Sequence, residues 1–507
     1  MRQKSFSFAA LLVLLSLILA ACGGNTNPSG GQGGTTPTQG TTAPTAAGTG
    51  GTDATAAAPT AGAEQPTAGT EQPTAGAEQP TAGAGAEPTQ AAPSGVTVPD
   101  VAGLRNDLSG VTIKAILSAN ENVGPALDEL TARKFTELTG INVELILGEK
   151  SATDRLAIYN QQLNANSSDV DVYMVDVIWP GILATYAEDL KPLVGDLPDF
   201  FPAIVANNTV DGKLVAVPYY TDAGLLYYRK DLLEKYGYSN PPATWTELEE
   251  MAKKIQDGER ASNPDFWGFV WQGKAYEGLT CNALEWQVSN GGGSIVEPDG
   301  TISVNNEQVI GALNRVKGWV GTISPQGVTT YQEEEARGVW QAGNAAFMRN
   351  WPYAFSLGQA ADSAIKDKFD VAPLPKGDGP DARNADTLGG WQLMLNKNSQ
   401  NKEAAAEFIK FLTSPEIQKF NSLQRSLLPT RPAIYDDPEV LAANAYYGPL
   451  KAVFSGGAVA RPSTVTADLY NDVSVAYFTS VNQVLTGQAE AGAAMADLER
   501  KLEQILR

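Results

Sequence analysis

The sequence predicts an α/β protein of two lobes, set behind an export signal and a long tether. Three observations lead there. The first 107 residues divide into a short apolar run and a stretch with almost nothing large and apolar in it. The remaining residues, about 400 of them, hold all nine Trp and are too many for one core. Within them, short β-branched runs alternate with amphipathic helical spacing, as in a sheet with parallel pairing.

The chain opens with Arg2 and Lys4, then an apolar run from Phe8 to Ala21. At about 14 residues the run is too short to cross a bilayer core of about 30 Å. It ends Leu19-Ala20-Ala21-Cys22, followed by two glycines. This resembles the bacterial lipoprotein signal, which implies that Cys22 is lipidated and anchors the chain to the membrane. Cys281 is then left alone, and reads as a small buried apolar residue.

Residues 23–107 read as a disordered tether. From Gly23 to Gly103 there is no Leu, Ile, Phe, Met, Trp, Tyr, Lys or Arg, and a Pro-Thr-Ala-Gly unit recurs every seven residues from Pro59. Such a segment cannot bury enough surface to offset the entropy of ordering it. As a flexible coil it reaches about 50 Å.

In the globular part, residues 111–117 form an apolar strand and 125–138 a helix with Leu127, Leu130, Phe135 and Leu138 inward. Gly140 follows as a C′ residue. Residues 141–147 and 170–175 read as the next strands. Thr244-Trp245-Thr246-Glu247 is a capping box, 401–412 an amphipathic helix, and Ser414-Pro415-Glu416 the start of another. A charged helix runs from about 489 to the end.

Composition excludes much chemistry. There is no His, which removes the Ser-His-Asp triad and every His-ligated metal site, and two Cys cannot build a zinc cluster. No metal site or cofactor is expected. Lys+Arg number 36 against 57 Asp+Glu, a formal charge of −21, which argues against nucleic acid as a partner. No phosphate-binding Gly-x-x-x-x-Gly-Lys-Ser/Thr loop is present.

At Val217-Pro218-Tyr219-Tyr220-Thr221-Asp222-Ala223-Gly224 and on to Leu233, the chain resembles the extracellular solute-binding proteins of ABC sugar importers, and within them the trehalose/maltose-binding proteins. The likeness continues through residues 263–274 and 276–279, through Gly343-Asn344-Ala345 and 349–354, and through Leu388-Gly389-Gly390-Trp391. It covers 108–507 in order. It implies the larger sugar-binding type of the periplasmic-binding-protein-like fold: two lobes, a hinge and a central cleft. Lobe one is expected over 108–217 and 375–425, lobe two over 222–370 and 430–507, with hinges at 218–222 and 369–373.

The resemblance also implies a site. Asp176 matches a strand-end ligand carboxylate, although by pattern alone it reads as a surface or N-cap residue. Tyr220 and Asp222 match the family's hinge-strand pair. Trp351 and Trp391 are the stacking candidates, against the commoner role of Trp in a core, and Gly389 and Gly390 would let backbone and ring approach a ligand. Arg461 and Arg155 match ligand arginines, while Tyr276 and Glu277 are expected to line the cleft. The family loop reads Asn then Glu, whereas here Glu121 precedes Asn122, so either residue could face the sugar. The function implied is capture of an α-linked disaccharide, such as trehalose or maltose, and delivery to the permease subunits of an ABC importer. The protein would be a monomer, not an enzyme, and anchored outside the cytoplasm. Two alternatives stand beside it: a glycoside hydrolase using Asp176, Asp222 and Glu121, and a sugar-sensing surface lipoprotein. Against the hydrolase, no carboxylate in the sequence shows a reason for a raised pKa.

Overall fold

The computed structural model describes residues 95–119, 124–452 and 458–507. The signal with Cys22, the tether before residue 95, and Glu121 and Asn122 lie outside the described residues. Thirteen strands are described: β1 (Thr112–Ala119), β2 (Asn142–Gly148), β3 (Val172–Asp176), β4 (Thr209–Val210), β5 (Lys213–Leu214), β6 (Val217–Ala223), β7 (Leu225–Arg229), β8 (Trp267–Val270), β9 (Ala345–Asn350), β10 (Phe369–Ala372), β11 (Asp386–Leu395), β12 (Leu428–Pro429) and β13 (Ala458–Val459).

The first sheet runs β12-β6-β11-β3-β1-β2, with β13 also on β11. β1 pairs parallel with both β2 and β3, as the strand–helix–strand spacing requires. β11 lies antiparallel between β3 and β6, so the sheet is mixed rather than parallel throughout. The second sheet runs β10-β7-β9-β8. Each sheet has its own core. The first packs Ile113, Leu117, Phe135, Phe408 and Phe411. The second packs Trp245, Phe269, Trp286 and Trp319 together with the C-terminal helices Tyr470–Leu485 and Ala491–Ile505.

Local signals explain the main helices. Gly124–Thr139 ends where Gly140 takes φ +73, where its N–H reaches the Thr136 carbonyl. Trp245–Glu259 opens on the Thr244/Glu247 capping box, with both reciprocal bonds formed. Pro415–Arg425 starts with Ser414 as N-cap and Pro415 in its first turn. Glu277–Ser289 is buried at every position, which is why its two glutamates must be paired. No helix among the described residues is long and apolar enough to cross a membrane.

Three boundaries differ from expectation. Packing begins earlier than the end of the expected tether: Val98 is buried on the first core, and the Arg105 N–H donates to Glu407 Oε1. The cause is the return of apolar side chains from Val96 onward. Residues 218–222, expected as a hinge, lie inside β6, and 369–372 lie inside β10. The chain crosses between sheets at Gly224 and again between β10 and β11. A Cβ on Gly224 would come within 2.0 Å of Glu285 Oε1 and 2.4 Å of Arg349 Nη2, so only glycine fits that crossing. Within the stretch 430–507, expected as lobe two, β13 pairs with β11 of the first sheet.

Candidate functional site

A cavity of about 220 Å³ opens between residues of the two sheets. Strand register assembles its first wall. In β11, Trp391 lies opposite Tyr220 of β6 on one side and Asp176 of β3 on the other. Gly389, two residues back, lies opposite Asp222. Residues far apart in sequence thus become neighbours through three adjacent strands. The register slips between Trp391 and Gln392, where Pro218 of β6 follows with no N–H to give.

The opposite wall comes from the second sheet and its buried helix. Trp351 follows β9, and its Nε1–H donates to Glu333 Oε1 at 3.2 Å. Tyr276 O–H donates to Glu333 Oε2 at 2.7 Å. Glu277 begins the buried helix and accepts from Tyr470 O–H at 2.5 Å and Ser474 O–H at 2.6 Å. Arg461 spans the two walls. Its Nη2 donates to Asp176 Oδ1 at 2.9 Å and its Nη1 to Glu277 Oε1 at 2.8 Å. Its Nε is buried with no partner among the described residues.

Each indole is backed by a guanidinium. Arg349 lies 4.0 Å from the Trp351 ring centroid and Arg155 lies 4.7 Å from that of Trp391. Arg155 spends its donors on backbone: Nε and Nη2 bond the Glu149 carbonyl at 2.9 and 2.7 Å, and Nη1 the Leu117 carbonyl at 3.3 Å. It stands in the cavity wall as the support of Trp391 rather than as a fork offered to a ligand.

The glycines work differently from expectation. A Cβ on Gly389 would come within 2.9 Å of the Trp351 ring; the missing side chain admits that indole. Gly390 has φ +120, and its Cβ would sit 2.6 Å from the Tyr220 carbonyl oxygen, so it serves the β6–β11 contact.

Asp222 carries the site's most distinctive electrostatics. It is 7% exposed, and its Oδ1 is buried without a partner among the described residues. Burial first, and the neighbouring Asp176 second, push its carboxyl well above the usual range, with Arg349 opposing. This corrects the expectation that no carboxylate has cause for a raised pKa; the cause is burial, which a sequence does not display. Burial also raises Glu277, against the pull of Arg461.

Of the sequence-derived residues, Arg155, Asp176, Tyr220, Asp222, Tyr276, Glu277, Trp351, Gly389, Gly390, Trp391 and Arg461 all line one cavity. Sequence reasoning missed Glu333 and Arg425, which line it too. Glu333 sits in an acidic helix start that reads as solvated surface. Arg425 ends a helix whose other face is core, and its Nη2 pairs with Asp128 at 2.7 Å. Among the described residues no group of three or more His, Cys, Asp or Glu is placed to hold a metal ion.

The model of the bacterial extracellular solute-binding protein family matches residues 118–419. The chain belongs to that family. A relative from Deinococcus radiodurans, named "Probable ABC transporter-binding protein", is 52% identical over 391 residues, 76% of this chain and 92% of the relative. Among solved structures of this kind, maltose-bound T. maritima MalE3 is similar at 41% identity and a TM-score of 0.74, covering 78% of this chain and all of the other. An Agrobacterium radiobacter K84 ABC transporter solute-binding protein in complex with ribitol is similar at 26% identity and a TM-score of 0.69, over 78% of this chain and 99% of the other.

Proposed function

We propose that the protein is the saccharide-binding component of an ABC importer, held at the membrane through lipid on Cys22, which captures an α-linked disaccharide such as maltose or trehalose and passes it to permease subunits. One observation carries the reading: two indoles, Trp351 and Trp391, line a cavity together with Asp222, whose Oδ1 has no partner among the described residues. A disaccharide presents flat C–H faces that stack on aromatic planes, and vicinal hydroxyls that carboxyls bond. The likeness to a maltose-bound protein, at 41% identity over nearly the whole folded part, supports it.

In this reading the two sheets are the cores of two lobes, and the crossings at Gly224 and between β10 and β11 are the hinges. Closure follows from contacts made only in the shut form. The family offers no case for catalysis, but Asp222 beside Asp176 gives a hydrolase reading one specific support, a carboxyl whose pKa burial raises well above the usual range. Isothermal titration against maltose, trehalose, sucrose and palatinose, with glucose assayed in the same mixtures, tests both. Saturable heat without glucose release supports the binder. Turnover to glucose establishes the hydrolase, and no binding to any of the four removes the disaccharide assignment.

A further inference from the structure

We propose that Arg349 and Glu285, a buried pair behind the cleft, act as positioning residues that fix the Trp351 indole as a one-sided stacking wall and suit the cleft to an uncharged ligand face. The inference rests on the saccharide reading above for its ligand, though not for its geometry.

The pair lies outside the set that the cleft residues define. Its side chains are 2% and 1% exposed. Arg349 Nε donates to Glu285 Oε2 at 2.9 Å, and Nη2 to Glu285 Oε1. Nη1 donates to Gln272 Oε1 at 3.2 Å. Glu285 Oε1 also accepts from the Thr387 N–H of β11 at 3.2 Å. The fork is therefore held on both arms, and its flat face is left for the Trp351 ring at 4.0 Å. Stability alone gives little reason for such a pair, because apolar residues of equal volume generally serve a core as well or better. What apolar residues cannot supply is an immobile cation behind an indole in a dry site, where that contact is strongest.

The rest of the indole is fixed as well. Its Nε1–H is on Glu333, the Trp351 backbone carbonyl accepts the Tyr227 O–H at 2.7 Å, and Gly389 makes room for the ring edge. One face remains for a ligand. On the facing wall Arg155 also lies against a ring, 4.7 Å from the Trp391 centroid, but it lines the cavity itself, with its donors spent on backbone. The Arg349 guanidinium, buried outside the cavity lining, draws π density away from the cavity side of Trp351, so that wall disfavours a cationic ligand, whereas a neutral C–H face stacks without penalty.

The test is the double variant R349M/E285Q, which removes both charges together and leaves no lone buried ion. Maltose binding by titration is expected to weaken at least about tenfold while thermal unfolding stays within about 5 °C of the parent. Adding W351F is expected to change affinity much less in that background than in the parent, because coupled residues are not additive. Acrylamide quenching without ligand, read as the difference that W351F makes, is expected to rise. Affinity within twofold of the parent, or an equal W351F effect in both backgrounds, overturns the proposal. If the double variant does not fold, R349K decides: a loss of threefold or more supports the pair, and a change within twofold overturns it. If the parent binds no sugar, the saccharide reading fails, and the ligand-free quenching alone decides the pair: a rise supports it and no change overturns it.

Discussion

Asp386 opens β11, and its Oδ1 accepts from the Leu374 N–H at 2.9 Å, so it clasps both ends of the crossing between β10 and β11. It is fully buried, its Oδ2 has no partner among the described residues, and burial raises its pKa from 3.8 to about 8. A carboxyl that keeps its proton only in the folded state ties stability to pH in a fixed direction. The unfolded chain releases that proton above about pH 4, while the folded chain holds it to about pH 8, so stability falls across the interval and levels off above it. About four pH units at about 1.4 kcal/mol each give a loss of about 6 kcal/mol. Asp386→Asn mimics the protonated acid in shape and in its spare donor, so it removes this slope. Urea unfolding at pH 5, 7 and 9 is the assay. The variant should exceed the parent by about 1.5 kcal/mol at pH 5, where the unfolded chain has already released the proton, and by several kcal/mol at pH 9. Parallel loss of stability in the two proteins from pH 5 to pH 9 would refute the reasoning.

Other outcomes follow from the same geometry. Trp391→Ala and Asp222→Ala should each weaken sugar binding at least tenfold, about 1.4 kcal/mol; calorimetric affinities unchanged in both would remove these residues from the site. Hydroxyl donors arriving at the buried Asp222 favour its ionised form, so binding should release protons, read from titrations in buffers of different ionisation enthalpy. Asp222→Asn should abolish that release, and a signal that survives in the variant points to another group. Arg461→Met strips a cation from two buried carboxylates. It should lower stability by about 3 kcal/mol, the low end for a broken buried pair, since Tyr470 and Ser474 still serve Glu277. A denaturation midpoint that does not move would contradict that bridge.

How much of this could be read beforehand depends on the scale of the cause. The Thr244 capping box, the Gly140 helix end and the Pro415 helix start are local chemistry, and each was legible from a few residues. The parallel β1–β2–β3 arrangement followed from spacing. The antiparallel place of β11 did not, because it depends on a partner almost 170 residues upstream. The same limit applies in the cleft. Resemblance could point at Trp351 and Trp391, but not at the guanidinium behind each ring. Arg349 looks like any charged residue until it is seen buried against Glu285. Glu333 carries no signal in the sequence for the same reason: its contacts with Tyr276 and Trp351 form only in the fold. Composition misjudged residues 96–107 because a few valines and leucines are diluted by the sequence before them.

The position of β11 also has a consequence for synthesis. It lies mid-sheet between β3 and β6, yet its residues come after three-quarters of the chain has been made. A growing chain therefore spends most of its elongation with the first sheet split, its two early parts lacking the strand that joins them. Fragments ending before Asp386 should be open and readily cleaved by protease however many earlier residues they contain, and the molecule gains its resistance late and nearly all at once.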